Sequence, residues 1–140
     1  MKELLIAVKS ALGAALTNVR VHVTPHINAF PTDFTLPCVG IKDGAVTRVE
    51  LINSMLEITL NVIIVVYVSL QEGKEVNIIG DSDEQGVLDI VSDIHEVLDE
   101  NLLDIAGMQF AFSASEAESI SFDYIQQKKI MYKYIKEIAR

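Results

Sequence analysis

Tryptophan is absent from this chain, cysteine occurs once, and proline three times in 140 residues. Each shortage closes a route. A lone Cys38 cannot form an intramolecular disulfide and says little about compartment. Three prolines and seven glycines leave no low-complexity tract, and 50% hydrophobic residues is too apolar for disorder. Basic residues are scarce, 11 against 20 acidic, giving net charge -9 and pI ≈ 4.6. A chain so acidic repels nucleic acid and anionic lipid unless a basic patch is segregated, so neither direct nucleic-acid sequence recognition nor membrane binding is expected. Long apolar runs are missing too. The longest, residues 60–70, already contains Asn61, and a bilayer span needs about 20 apolar residues.

What remains is one domain's worth of chain, residues 1–140, with enough apolar side chains for a core without metal or disulfide staples. The first twenty residues superficially resemble a signal peptide, but Glu3 and Lys9 interrupt it. Leu4, Leu5, Val8, Leu12, Ala15 and Leu16 instead form one stripe of an amphipathic helix. Val19, Val21 and Val23 alternate with Arg20 and His22, predicting a short strand with its valines buried. Residues 24–37 hold all three prolines and read as a long loop. A strand is expected over residues 38–42, with Asp43-Gly44 as a turn and residues 46–52 pairing back.

Residues 54–70 are the clearest element. Every even position from Leu56 to Leu70 is apolar; the odd positions begin polar (Glu57, Thr59, Asn61) and turn apolar (Ile63, Val65, Tyr67). That predicts a long strand, one face buried throughout and the other covered only in its second half. Ser82 and Gln85 match a capping box, and Val87, Val91, Ile94, Leu98, Leu102 and Ile105 predict a helix of about five turns before Gly107. Strands follow from Met108, Phe110 and Phe112 and from Ile120, Phe122 and Tyr124; residues 128–140 fit helix or strand, with strand to about Lys136 preferred. Runs of strands between two helices predict an α+β fold: a mixed or antiparallel sheet with an N-terminal helix and one long acidic helix packed on it. The expected core is Leu5, Val8, Leu12, Leu56, Ile58, Leu60, Val62, Ile64, Val66, Val91, Ile94, Leu98, Phe110 and Phe112.

No constellation carries recognisable chemistry. His22 and His26 flank Pro25, which forbids a helical zinc pair, and neither His95 nor Cys38 adds a ligand spacing. No serine sits in a nucleophile elbow and no glycine run cradles a phosphate. No catalytic residue, metal or cofactor is expected, and the chain reads as a binding protein rather than an enzyme.

Charge is more telling. Residues 71–104 carry eleven acidic side chains and only Lys74 as a base, whereas Lys128, Lys129, Lys133, Lys136 and Arg140 cluster near the end. Asp89, Asp93, Glu96 and Glu100 fall on one helical stripe away from the apolar one. The bland reading is an ordinary solvated face. The sharper one is a contact between copies, this stripe meeting Lys128, Lys129, Lys133 and Lys136 of a neighbour, with Ile63, Val65 and Tyr67 supplying apolar contact. The loop at residues 24–36, with Phe30 and Phe34, is the candidate partner-binding or lumen-facing segment.

The element order resembles the phage tail-terminator and tail-completion (neck) proteins. The resemblance runs through the N-terminal helix, the proline loop leading to PCVGIKD, the strand MLEITLNVIIVVYVSL, the helix GVLDIVSDIHEVLDENL and the closing ISFDYIQQKKIMYKY. It covers nearly the whole chain as architecture, without a fixed motif. It implies a structural virion or prophage protein forming a homo-oligomeric ring, a hexamer in the family. Its partners would be tail-tube and head-connector proteins, in the virion or in the bacterial cytoplasm during assembly. The alternative is an α+β module holding a small ligand between sheet and helices.

Overall fold

The computed structural model describes residues 1–25, 36–69, 75–81, 85–122 and 124–139. The fold is α+β and strand-dominated. Helix α1 (Lys2–Ala15) is followed by β1 (Arg20–Val23), β2 (Cys38–Glu50), β3 (Met55–Ser69), the short α2 (Val76–Ile79) and α3 (Val87–Leu98). Strands β4 (Met108–Glu116), β5 (Ile120–Phe122) and β6 (Ile125–Ala139) complete it. Spatial order is β1-β2-β3-β6-β4, with β5 also paired to β6. Only β1 and β2 run parallel, so the sheet is mixed.

The fifteen-residue β3 forms the spine, and β6 pairs along its whole length, from Met55↔Ala139 to Ser69↔Ile125. The residues that could have been helix or strand are therefore strand, reaching Ala139. Ile130, Tyr132 and Tyr134 recur there at period 2, each opposite an apolar β3 residue: Ile64, Val62 and Leu60. Even positions of both strands point to the helices. Ile58, Leu60, Val62, Ile64 and Val66 join Ile130, Tyr132 and Tyr134 in the main core, closed by Leu4, Val8 and Leu12 of α1 and Ile90, Val91, Ile94 and Leu98 of α3. Both helices thus cover one face.

Among the described residues, the opposite face has a buried cluster at one end only. Cys38, Val65, Tyr67 and Ile125 form a small second core there, with Leu36 and Ile63 against it. The predicted change in β3's odd positions appears as expected, and its cover lies within the chain.

Several expectations are corrected. Asp43-Gly44 is not a turn: β2 runs straight through it, with a register shift between Asp43 and Val46, and the chain reverses at a single 3-10 turn, Ile52–Ser54. A side chain at Gly44 would press on the Asn61 carbonyl at 2.9 Å, and Asn61 Nδ2 donates to the Ala45 carbonyl at 2.8 Å, so the dipeptide makes a bulge. In β1 it is His22 that is buried, while Val23 is 45% exposed. His22 stands opposite Gly40, whose missing side chain leaves room for the imidazole. Ile120–Phe122 do not begin the last strand but form the separate β5, which pairs antiparallel with β6.

The acidic helix is shorter than its periodicity suggests. Ser82 lies outside the described residues, and Gly86, not Ser82, is the N-cap, so Gln85 precedes the helix. Asp89 Oδ2 accepts from Gly86 N–H at 3.0 Å. The helix stops at Leu98 because Asn101 competes for its end: Nδ2 donates to the Val97 carbonyl and Oδ1 accepts from Leu103 N–H. Glu100, Leu103 and Asp104 then take positive φ, so Leu102 and Ile105 are not on the helix.

Phe110 and Phe112 are not core residues; they are 60% and 41% exposed. A register shift between Met108 and Phe110 turns Met108 and Ala111 inward and the phenylalanines outward. Leu5 and Leu56 pack against the core only in part.

Candidate subunit interface

Strand alternation divides the basic segment. Lys128 sits with the even, helix-facing residues of β6; it is buried and donates from Nζ to the Ala117 carbonyl at 2.6 Å. Lys136 shares that parity and pairs with Ile58. Lys129 and Lys133 have odd parity and stand half-buried on the opposite face, Lys133 beside Asn61 on its open part and Lys129 beside buried Val65 where the covered end begins. The four lysines are thus two pairs on two faces, and Lys129, already engaged within the chain, and Lys133 are the two that share the face of Phe110 and Phe112. The register sets Lys42 two strands from Met131 on the same face, its Nζ 3.4 Å from Asp43 Oδ1.

The expected apolar contacts change in the same way. Val65 and Tyr67 are fully buried within the chain, so they offer nothing to a neighbour; Ile63 is half-buried. Burial pushes the Tyr67 phenol up to about 12 and, working against the nearby Arg20 charge, the Cys38 thiol likewise to about 12. Their place is taken by Phe110 and Phe112, which pair with Ile135 and Lys133, and by half-buried Met131 and Ile135. Ile63, Met131, Ile135, Phe110 and Phe112, bordered by Lys42, Lys129 and Lys133, make one continuous apolar and basic surface. Glu57 and Glu137, paired with each other, close its far end.

On the other side of the molecule, Glu96 is exposed and Asp89 and Asp93 are half-buried on α3, with Leu88, 41% exposed, to one side of them. Glu100 leaves that stripe. It lies beyond the helix with φ 60°, and its N–H donates to the Ala111 carbonyl at 3.1 Å. Phe30 and Phe34, the candidate partner loop, lie outside the described residues.

A second cluster was not legible in the sequence. Tyr132 Oη donates to Asp99 Oδ1 at 2.6 Å and stands 2.5 Å from Nδ1 of His95, whose Nε2 is 3.0 Å from Glu116 Oε1. A phenol has one proton. When it goes to Asp99, His95 donates at Nδ1; when His95 accepts there, Asp99 loses its donor. Burial first, then the hydrogen bond to Asp99 and its charge, holds the Tyr132 phenol above the ordinary tyrosine range, so it stays protonated. The cluster ties the end of α3 to β4 and β6. His95 and Asp99 are spaced i, i+4, the one local signal; Glu116 and Tyr132 reach it only through the sheet. Among the described residues, no group of three or more His, Cys, Asp or Glu could hold a metal ion. Nor is any helix long and apolar enough to cross a membrane.

Neither a family model nor a curated protein matches this chain.

Proposed function

We propose that this chain is a structural subunit of a phage or prophage virion, a ring-forming tail terminator or neck component that works by binding. Its partners in this reading are further copies of itself and the tail-tube and head-connector proteins, met in the virion or in the host cytoplasm during assembly. The observation that carries the reading is the half-open sheet, with Phe110 and Phe112 exposed at 60% and 41% on a face whose other end is closed. Exposed aromatics grouped with half-buried aliphatics and rimmed by charge mark protein contact surfaces. Mean hydropathy of +0.33 agrees with a subunit that buries more surface on association. The carboxylates lie on α3, away from that face, so the contact joins unlike surfaces, and head-to-tail contacts of this kind close into rings when the rotation between copies permits.

Light scattering at micromolar concentration tests it. A ring gives several times the 15.5 kDa chain mass. A protein that stays at the chain mass at every concentration overturns the reading. Genes for tail-tube and connector proteins are expected beside the gene for this chain.

A further inference from the structure

We infer that α3 of one copy seats on the open sheet face of the next, its axis along β6, so that a single heterologous contact repeats around the assembly. The inference rests on the self-assembly proposed above and names the two surfaces that meet.

Three observations point to this occupant. The first is charge. Lys42, Lys129 and Lys133 border the open face, and Asp89, Asp93 and Glu96 lie along the outer side of α3. The second is reach. Lys129 and Lys133 are four residues apart on a strand, about 13 Å, and Asp89 and Glu96 are seven apart on a helix, about 10 Å. The twelve residues of α3 span about 18 Å, close to the distance from Lys129 to Ile135, six residues along β6 and about 20 Å.

The third is the apolar match. Leu88 is 41% exposed on α3 at the flank of the carboxylate stripe, and Phe112 is 41% exposed beside its β6 partner Lys133. Seating α3 there withdraws both from water and brings Asp93 and Glu96 to the basic side of the sheet face, where Lys133 stands. Glu57 and Glu137 at the far end repel the helix and hold it to the lysine band. Lys128 and Lys136 take no part, being turned toward the helix layer.

Two charge-reversed proteins test the contact: Lys129→Glu/Lys133→Glu on the sheet face and Asp93→Lys/Glu96→Lys on the helix. Asp89 is left intact because it caps α3. Circular dichroism confirms folding; should either fail to fold, Lys129→Gln/Lys133→Gln and Asp93→Asn/Glu96→Gln replace them as singly tested weakening variants. Sedimentation velocity at low salt reads the assembly. Each reversed protein alone is expected to associate about tenfold or more weaker than the parent. Their equimolar mixture is expected to regain the parent's sedimentation, because an acidic sheet face then meets a basic helix at every second contact. A parent that assembles while both variants sediment like it overturns this contact and leaves self-assembly standing. Variants that dissociate but do not recover on mixing overturn the pairing of these two surfaces. A monomeric parent overturns the self-assembly reading, and this one with it.

Discussion

His22 is enclosed by β1 and β2, with Thr24 and the bare backbone of Gly40 beside it. Burial first, then the charges of Arg20 and Lys9, lowers its pKa below the ordinary 6.5. The unfolded chain therefore takes up this proton first as pH falls, and stability is lost on the acid side of 6.5 and is fully present above it. Urea unfolding at about pH 7.5 and about pH 5.5 should show a drop for the parent. His22→Gln should show a smaller one. Tyr132 offers a second residue-scale test. Tyr132→Phe removes the one donor to Asp99 and leaves His95 Nδ1 facing carbon, a loss of about 1–3 kcal/mol in denaturant unfolding. Unchanged stability would mean that the hydroxyl is not holding the end of α3 to the sheet.

At the scale of elements, parity decides what a residue does. Ile64 and Phe110 are both large and apolar in strands, yet one is fully buried and the other 60% exposed. Ile64→Ala is expected to cost about 2–5 kcal/mol, whereas Phe110→Ser should leave monomer unfolding almost unchanged and weaken association. The period-2 pattern made β3 and both its faces legible, and the i, i+4, i+8 spacing of Leu4, Val8 and Leu12 did the same for α1. Bulges are where legibility ended. The shifts at Asp43/Val46 and Met108/Phe110 leave the alternation of residue types intact while turning it against the core. The end of α3 was hidden for a related reason: Leu102 and Ile105 keep helical spacing, but Asn101 takes the carbonyls that would carry the helix on. Gly86 was unremarked in the sequence. A Cβ there would stand 2.5 Å from the Gly80 nitrogen and press on the Ile78 carbonyl, both backbone. Gly86→Ala should therefore cost about 1–3 kcal/mol by forcing α2 and α3 apart, measurable by thermal or denaturant unfolding.

For the molecule as a whole, the lysines show how a candidate surface can be half legible. Composition located the positive charge, but only strand register could say that Lys129 and Lys133 face one way and Lys128 and Lys136 the other. The pairing of β3 with β6 also has a consequence for how the chain is made. Ribosomes deliver residues in order, and the partner of Ser69 is Ile125, fifty-six residues later. At ordinary elongation rates β3 waits about 3–11 s with one edge unpaired and its apolar rows uncovered. Emerging chains of this protein are thus chaperone clients until the final strand arrives, and premature termination is more damaging than its position near the end suggests. A chain stopped at residue 124 should be found insoluble or bound to holdase chaperones. Supplying residues 125–140 as a separate peptide during refolding should recover soluble protein, since the missing strand brings the hydrogen bonds that β3 lacks and Ile130, Tyr132 and Tyr134 of the core.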